Sequence, residues 1–297
     1  MKELAHLSET AASKLTLSSR DRIQHIKKAR WIGYGRAREI LGKLEDLLVH
    51  PPQARMPNML IVGETNNGKT MLVSKFREKH PAEENRDGDA ITIPVLYIQA
   101  PPAPDERGFY NAILSRLFEV SPRSEATDAK RDRVVEVLRR VKLGMLMVDE
   151  IHHLLAGAYV KQRNCLNVLK YLGNELCVPL VGVGTAEAMR AIQTDPQLAN
   201  RFTPEILPKW TKNAELARLL ASFERVIPLQ RASQLASPAL AARVVDIAGG
   251  TIGEMSTLLN MAAIHAIETG EECITAEILE ACGYVSPMQR KQAASAL

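Results

Sequence analysis

The sequence has few cysteines and few aromatic residues, and each shortage excludes a class of protein. Only four of its 297 residues are cysteine, and aromatic residues make up 4%. The cysteines are scattered, without a Cys-x-x-Cys pair or a histidine at ligand spacing, at Cys165, Cys177, Cys273 and Cys282. This pattern excludes a disulfide scaffold and a zinc finger, and it predicts reduced thiols that pack as small apolar side chains.

The sequence also lacks any long apolar run. No segment approaches the ~20 residues that a helix needs to span a bilayer. The start of the chain, Met1–His6, lacks the apolar stretch of a signal peptide. We therefore expect a cytoplasmic protein with no membrane partner. The 46% apolar and 24% charged composition is typical of a globular protein with room for a large core and a smaller second unit.

The excess of positive charge is small, but it is unevenly distributed. A formal net charge of +4 does not by itself imply a polyanion partner. Between Arg20 and Arg38, however, seven basic residues stand against one acid, Asp21. A second basic stretch, residues 123–142, mixes seven basic residues with four acids and is equally typical of a solvated helix face. The first stretch is the better candidate for a polyanion surface, with an ordinary surface as the open alternative.

The strongest motif is G-x-x-x-x-G-K-T, which lies between an apolar run and a helical pattern. Met59–Val62 predicts a buried strand, and Met71–Phe76 has apolar residues at helical spacing. This context predicts a phosphate-binding loop, in which glycines let successive N–H groups point inward at a helix start. We expect the lysine to reach the outer phosphates and the threonine to ligate Mg²⁺. The predicted nucleotide-binding residues are Gly63, Glu64, Thr65, Asn66, Asn67, Gly68, Lys69, Thr70 and Met71.

A second motif places two acids after another apolar run, Met145–Val148. Two carboxylates at the end of a buried strand are costly without a partner. In a nucleotide site, Asp149 can complete the Mg²⁺ shell and Glu150 can orient or deprotonate a water. The alternative is that both acids cap the following helix at Ile151–His153. A metal role for His152 and His153 is conceivable, but we expect adjacent side chains to point to different helix faces.

Strands alternate with helices through the first two thirds of the chain and then disappear. Thr92–Ile98 and Val178–Gly184 predict further strands, whereas no strand pattern follows Trp210. The pattern predicts an α/β fold: a P-loop core with a three-layer parallel sheet, an N-terminal helical extension and a small all-helical C-terminal lid. The predicted segments are a mobile arm and helical extension at 1–55, an ATPase core at 56–212, the lid at 213–285 and a flexible tail at 286–297.

The order of these motifs resembles that of the AAA+ ATPases, and several runs resemble one branch, the TniB transposition proteins. The resemblance extends from about residue 18 to residue 285. TniB proteins are relatives of TnsC and MuB, which are ATP-dependent regulators of transposon target sites. The runs that carry the resemblance are Arg30–Tyr34, Gly63–Thr70, Val148–His152, Pro179–Thr185 and Gly250–Glu254. The P-loop and the acidic strand occur in many ATPases, whereas the Trp-Ile-Gly-Tyr run at 31–34 and the Asn-Asn-Gly-Lys-Thr run at 66–70 are more discriminating.

The resemblance implies further catalytic roles. Lys69, Glu150 and the Mg²⁺ ligands keep the roles assigned above. Thr185 matches the polar sensor that positions the γ-phosphate of ATP. Arg201 matches the arginine finger that reaches a neighbouring subunit's nucleotide, with a helix-terminal salt bridge as the alternative. One departure is that Gly250–Gly253 stands where many AAA+ lids carry a sensor arginine.

The resemblance also implies a task. A TniB-like ATPase binds ATP and Mg²⁺, forms a homo-oligomeric ring or helical filament on double-stranded DNA, and recruits or activates a transposase at target DNA. The resemblance implies that the protein contacts mainly the phosphates of the DNA backbone. Such contacts give DNA binding a weak sequence preference and a steep salt dependence. Two alternatives stay open. A replicative helicase loader would bind a helicase in place of a transposase, and a small-molecule kinase would transfer phosphate to a metabolite in place of water. The candidate DNA-binding residues are Arg107, Lys130, Arg131, Lys161 and Arg163.

Overall fold

The computed structural model describes most of the chain and divides it into two compact units. The described residues are 4–84, 91–120, 122, 124–154 and 159–295. The α/β unit comprises Arg36–Thr65 and Lys69–Pro208, and the helical unit comprises Met1–Gly35, Asn66–Gly68 and Lys209–Leu297. No helix among the described residues is both long and apolar enough to cross a membrane.

The secondary structure comprises both strands and helices. The strands are β1 (Asn58–Gly63), β2 (Val95–Gln99), β3 (Met145–Asp149), β4 (Leu180–Gly184) and β5 (Phe202–Leu207). The helices are α1 (Glu9–Ala12), α2 (Ser19–Lys27), α3 (Gly35–Leu48), α4 (Lys69–Lys79), α5 (Glu106–Arg116), α6 (Thr127–Arg140), α7 (Tyr159–Leu176), α8 (Ala186–Gln193), α9 (Pro196–Ala199), α10 (Ala214–Val226), α11 (Pro238–Ala248), α12 (Ile252–Glu268), α13 (Ala276–Ala281) and α14 (Pro287–Ser295). Ser13–Thr16 and Ile151–His153 form 3₁₀ turns.

The α/β unit is built on a parallel sheet with strand order β2-β3-β4-β1-β5. Every residue of β1, β3 and β4 is buried, as the continuous apolar runs predict for strands covered on both faces. This arrangement confirms the predicted parallel α/β fold. β2 begins later than predicted, at Val95, because Pro94 has no N–H to donate to a neighbouring strand.

The sequence reading did not predict the fifth strand. β5 mixes buried and exposed residues and contains Pro204, so it lacks the continuous apolar run of the central strands. Its place at the edge of the sheet, beside β1 alone, tolerates a residue without an N–H. A short strand with a mixed burial pattern and a proline is easily mistaken for a loop.

The strand order predicts a crevice at the carboxyl ends of the strands. The chain leaves β1 for β2 at the far edge, then steps back through β3 and β4 before crossing to β5. In parallel sheets, such a reversal of strand order opens a crevice at the carboxyl ends of the strands. The segments that follow β1, β3 and β4 emerge at these carboxyl ends. They contain the P-loop, Glu150 and Thr185, and Asp149 is the last residue of β3.

The helical unit has its own apolar core, to which the N-terminal segment contributes. α10 to α13 and α2 surround the fully buried residues Leu220, Leu258 and Ile26. The described residues of the predicted mobile arm, from 4 onward, include regular secondary structure. They form α1 and a 3₁₀ turn, and the Ser8 N–H donates to the Arg225 carbonyl at 2.8 Å. At the other end, the described residues of the predicted flexible tail form the helix α14.

Candidate functional site

The P-loop lysine is buried beside the strand that precedes it. Lys69 opens α4, and its Nζ donates to the carbonyl oxygens of Gly63, at 2.9 Å, and of Glu64, at 2.8 Å. Burial lowers the pKa of Lys69, although the charges of Glu150 and Asp149 act against this shift. The ammonium group is therefore held by neutral carbonyls, in a place where an anionic oxygen is a stronger acceptor.

Space for a side chain is limited where β1 passes into this loop. A Cβ on Gly63 would lie 3.2 Å from the Cβ and 3.3 Å from the carbonyl oxygen of Leu207 on β5. Glu64 and Thr65 are exposed beyond this point, and Met71 is 38% exposed on α4. The predicted binding residues of the α/β unit thus lie in one turn between β1 and α4.

The two predicted magnesium ligands contact each other directly. The Thr70 hydroxyl donates to Oδ2 of Asp149 at 2.8 Å, although the two residues are 79 positions apart. Asp149 is 2% exposed, and its Oδ1 accepts the N–H of Glu150 at 2.8 Å. A hydroxyl and a carboxylate offer the oxygen ligands that Mg²⁺ prefers. The donor set therefore fits a magnesium ion that has further ligands from water and phosphate.

Tyr97 also contacts Asp149, and the sequence reading missed it. Its hydroxyl donates to Oδ2 of Asp149 at 2.8 Å, and the guanidinium of Arg77 lies 5.2 Å from its ring centroid. Burial and the hydrogen bond to Asp149 raise the pKa of Tyr97, which keeps the phenol protonated as a donor. β2 and β3 are adjacent and pair Gln99 with Asp149. Only the strand order reveals this proximity.

Glu150 has an unusual backbone conformation. Its φ of 53° lies in the left-handed region, which a residue other than glycine adopts infrequently. Backbone strain of this kind is concentrated at functional sites. The turn carries the Glu150 carboxylate out of the buried strand, and Oε2 lies 3.2 Å from Nδ1 of His152. The two acids therefore have different surroundings, with Asp149 enclosed and Glu150 half-buried.

The two histidines after the acidic pair lie together. Their ring centroids are 4.4 Å apart and the rings are tilted by 56°. The prediction that His152 and His153 point to different faces is wrong, because the structure places both rings together within one 3₁₀ turn. Nδ1 of each ring is buried and has no hydrogen-bond partner among the described residues.

Thr185 carries another buried polar atom without a partner. It follows β4 and is the N-cap residue of α8, but its hydroxyl caps no N–H group there. Its Oγ1 is buried and makes no hydrogen bond with the described part of the chain. A buried hydroxyl without a partner costs free energy. A ligand that accepts a hydrogen bond at the end of β4 removes this cost.

Arg201 lies at the amino ends of β1 and β5, whereas the P-loop follows the carboxyl end of β1. Its carbonyl accepts the N–H of Asn58, which begins β1, at 2.8 Å. Its guanidinium donates to Oδ1 of Asn174 at 2.7 Å, a neutral amide rather than the acid of a salt bridge. The length of β1, at about 3.3 Å per residue, separates Arg201 from the loop at the other end. Arg201 therefore does not join the other predicted catalytic residues within one chain.

The tip of the P-loop belongs to the helical unit by its contacts. Asn66 has a left-handed φ of 60°, and its carbonyl accepts the N–H of Gly253 at 3.0 Å. Its side chain donates to Oε1 of Glu254 at 3.0 Å. Oδ1 of the buried Asn67 accepts the N–H of Ile252 at 3.4 Å. The segment that lacks a sensor arginine thus contacts the loop tip through backbone N–H groups and an acid.

Glu254 joins this segment to the end of the chain. It accepts hydrogen bonds from the hydroxyl of Tyr284 at 2.5 Å and pairs with Arg290 of α14 at 2.7 Å. Burial raises the pKa of Glu254, but the hydrogen bonds from Tyr284, Arg290 and Asn66 outweigh this effect and lower it overall. The sequence reading assigned no role to these residues, because their proximity depends on the packing of α12 against the last segments of the chain.

The structure separates the candidate DNA-binding residues. Lys130 is wrong as a candidate, because it is 1% exposed and donates to Asn111 at 2.7 Å. In the first basic stretch, Arg22 is equally unsuitable, because it is 3% exposed and paired with Glu272. The exposed basic residues of the two sets include Arg20, Lys27, Lys28, Arg38, Lys161 and Arg163.

Comparison with known proteins identifies a family and a fold. A family model described as "Bacterial TniB protein" matches residues 22–212. No curated protein matches the chain. Aeropyrum pernix ORC2, solved as ADPNP-ADP complexes, is 16% identical with a TM-score of 0.60, over 87% of this chain and 71% of that one. Cdc6p from Pyrobaculum aerophilum is 18% identical with a TM-score of 0.60, over 86% and 68%.

A third similar structure is Aeropyrum pernix ORC1 in complex with DNA. It is 16% identical with a TM-score of 0.57, over 88% of this chain and 68% of that one. At these identities the similarity establishes the fold alone. The chain has the AAA+ P-loop fold of the Orc/Cdc6 type, as its motif order predicts.

Proposed function

Because this chain belongs to the TniB family of bacterial proteins, we propose that it is an ATPase that assembles on double-stranded DNA and regulates transposition. In this proposal it binds ATP with Mg²⁺, hydrolyses it as a homo-oligomeric ring or filament, and presents target DNA to a transposase. The observation that carries the proposal is the group formed by Lys69, Thr70 and Asp149, with Glu150 beside them.

Each residue of this group has a task that follows from its contacts. Thr70 and Asp149 would hold the magnesium ion, which supplies positive charge to the phosphate oxygens. The Lys69 ammonium would exchange its two carbonyl acceptors for phosphate oxygens, which are stronger acceptors because they are charged. Glu150 would orient or deprotonate the attacking water. The Thr185 hydroxyl, which lacks a partner in the described structure, would donate to the γ-phosphate.

Assembly on DNA is the second part of the proposal. Arg201 lies at the amino ends of the strands, away from the P-loop of its own chain, and this position supports a role on the nucleotide of a neighbouring subunit. A charge supplied from outside a site can raise phosphoryl transfer by several powers of ten. Exposed basic residues such as Lys27, Lys28 and Arg38 offer contacts to the DNA backbone, and one protein of the same fold was solved in complex with DNA.

The test compares two variants of the full chain. Lys69→Ala should lose ATP binding, whereas Glu150→Gln should bind ATP normally and hydrolyse it about a hundredfold more slowly. Glu150→Gln should therefore hold oligomers on duplex DNA with ATP, but not with ADP, in electron micrographs and sedimentation. Hydrolysis at the unaltered rate by Glu150→Gln would remove the assigned base. Failure of the unaltered protein to bind DNA with a non-hydrolysable analogue at low salt would refute the DNA-binding part.

The partner distinguishes this task from the alternative of a helicase loader. Both tasks need ATP and DNA, but only the proposed one needs a transposase. The trapped Glu150→Gln complex should retain a purified transposase of the same transposon on immobilised DNA. Retention of a replicative helicase instead would favour the alternative. Transfer of phosphate from ATP to a metabolite would favour the other alternative, a small-molecule kinase.

A further inference from the structure

The turn after β3 brings together three side chains that can bind a metal ion. Glu150, His152 and His153 each place a ligand atom within 4.8 Å of the other two, and all three residues are half-buried. Nδ1 of both imidazoles is buried without a hydrogen-bond partner in the described structure. Buried polar nitrogens are normally satisfied, so two such atoms in the turn that carries Glu150 indicate a missing partner.

The spacing of these atoms fits direct coordination. Nδ1 of His152 lies 3.2 Å from Oε2 of Glu150, yet this nitrogen makes no hydrogen bond of acceptable geometry. Two ligands about 2.0–2.1 Å from a tetrahedral metal ion lie about 3.3 Å from each other. The observed separation therefore suits two ligands of one ion.

The donor set distinguishes this cluster from the proposed magnesium site. Magnesium prefers oxygen ligands, and Thr70 and Asp149 provide them. Two imidazole nitrogens and one carboxylate instead suit Zn²⁺ and other late first-row ions. The two groups use different carboxylates, which are adjacent in the sequence.

We propose that Glu150, His152 and His153 form a binding site for a Zn²⁺-type transition metal ion, and that its occupancy inhibits ATP hydrolysis. The inhibitory part rests on the proposed function, because it assumes that Glu150 activates water. A metal ion on the Glu150 carboxylate occupies the lone pairs needed to take a proton. The ion binds without displacing the nucleotide, since Lys69 and Thr70 are not among its ligands.

Metal binding is tested first, on the metal-free full chain without nucleotide. Isothermal titration with ZnCl₂ should reveal one site that depends on the cluster, and CoCl₂ should give the visible absorption of tetrahedral or five-coordinate cobalt. His152→Ala and His153→Ala should each weaken this site by about tenfold or more. His50→Ala is the matched control, because its ring lies outside the cluster and contacts the carbonyl of Pro51.

Two outcomes would overturn the site. One is the absence of saturable Zn²⁺ binding, and the other is equal affinity in the cluster variants and the control. Thermal unfolding followed by circular dichroism checks that each variant is folded. If an alanine variant is unfolded, Glu150→Gln removes a ligand at nearly constant size and must weaken Zn²⁺ binding in the same way.

Inhibition is tested separately, as the ratio of hydrolysis rates with and without Zn²⁺ at constant Mg²⁺. This ratio should fall about tenfold for the unaltered chain and His50→Ala. It should fall much less for His153→Ala, while ATP affinity stays the same in Zn²⁺. Zinc binding without inhibition would overturn the regulatory part alone. Absence of ATPase activity in every protein would refute the proposed function, whereas the binding experiment would still decide the metal site.

Discussion

At the scale of single residues, the enclosed carboxylate of Asp149 is held by three hydrogen-bond donors. Its two oxygens accept hydrogen bonds from Thr70, Tyr97 and the backbone N–H of Glu150. These donors come from α4, β2 and the turn after β3. They hold the carboxylate in one orientation, so little ordering is needed when an ion binds.

Tyr97 gives the first prediction. Tyr97→Phe removes one donor to Asp149 but keeps the ring beneath Arg77. Because groups that orient a metal ligand typically contribute tenfold or more to metal affinity, half-maximal ATPase activity should need about tenfold more Mg²⁺. The measurement is the Mg²⁺ dependence of hydrolysis at saturating ATP.

A second buried tyrosine provides the control for this experiment. Tyr110 is fully buried, and its hydroxyl donates to Glu106 rather than to the acidic pair. Tyr110→Phe should leave the Mg²⁺ dependence as it is. An equal shift in both variants would mean that Tyr97 acts through the stability of the fold and does not position Asp149.

At the scale of elements, an ion pair connects α2 to the segment between α12 and α13 within the helical unit. Arg22 is 3% exposed, and both its terminal nitrogens donate to Glu272. One of them also donates to the carbonyl of Pro228 at 2.8 Å. The buried arginine therefore has acceptors on two segments of the helical unit. This pairing explains why a residue of the basic stretch is inside the protein.

This pair predicts how stability depends on pH. Burial raises the pKa of Glu272, but hydrogen bonds from Arg22 and the Gln230 backbone outweigh it and lower the pKa below its ordinary value of 4.5. A lowered pKa stabilises the folded state above the ordinary value, and this contribution is lost as the pH falls through the lowered value. Glu272→Gln should therefore unfold at a lower temperature than the unaltered chain at pH 7, and the difference should shrink below about pH 4.5.

The neighbouring acid is a matched control for the pH experiment. Glu271 is more than half exposed, and its carboxylate lies 3.5 Å from the exposed Arg231. Surface pairs of this kind contribute little to stability. Glu271→Gln should therefore melt like the unaltered chain across the pH range. If the Glu272→Gln difference stays constant as the pH falls, the ion pair does not contribute the expected stability.

At the scale of the whole molecule, the distribution of the predicted catalytic residues favours an assembly. Asp149 ends β3, and Lys69, Glu150 and Thr185 follow the carboxyl ends of central strands. Arg201 precedes β5 and lies beside the start of β1. The parallel sheet keeps the two groups apart within one chain, so in the proposed assembly Arg201 would act on the nucleotide of another copy.

Mixing two inactive variants tests this prediction. Glu150→Gln keeps Arg201 but lacks the base, and Arg201→Ala keeps the base but lacks the finger. Each alone should hydrolyse ATP at least about a hundredfold more slowly on DNA. Mixed oligomers should regain part of the activity, because Glu150→Gln subunits supply Arg201 to neighbours with an intact base. The measurement is the hydrolysis rate as a function of the mixing ratio.

A surface arginine on α8 provides the control for the mixing experiment. Arg190 is exposed, and Arg190→Ala alone should hydrolyse ATP at the unaltered rate. No recovery in Arg201→Ala and Glu150→Gln mixtures, despite demonstrated co-assembly, would contradict action between subunits. Full activity of Arg201→Ala alone would contradict any role as a finger.

Local patterns were sufficient for the central strands and the motifs that follow them. β1, β3 and β4 are continuous apolar runs because both their faces are covered, and such runs are visible in one dimension. β5 was missed because an edge strand with Pro204 needs no such run. The predicted domain boundaries and catalytic roles stay predictions, although contacts group residues up to Gly35 with the helical unit.

The sequence alone determined the P-loop, the acidic pair and the parallel α/β class, because each depends on residues close together in the chain. Tertiary structure alone decided which side chains surround them. Tyr97 reaches Asp149 across 52 positions, and Arg22 reaches Glu272 across 250. Such contacts form when strands pair and helices pack, because this brings together residues that are far apart in the sequence. The spacing of residues along the chain therefore does not predict which of them are in contact.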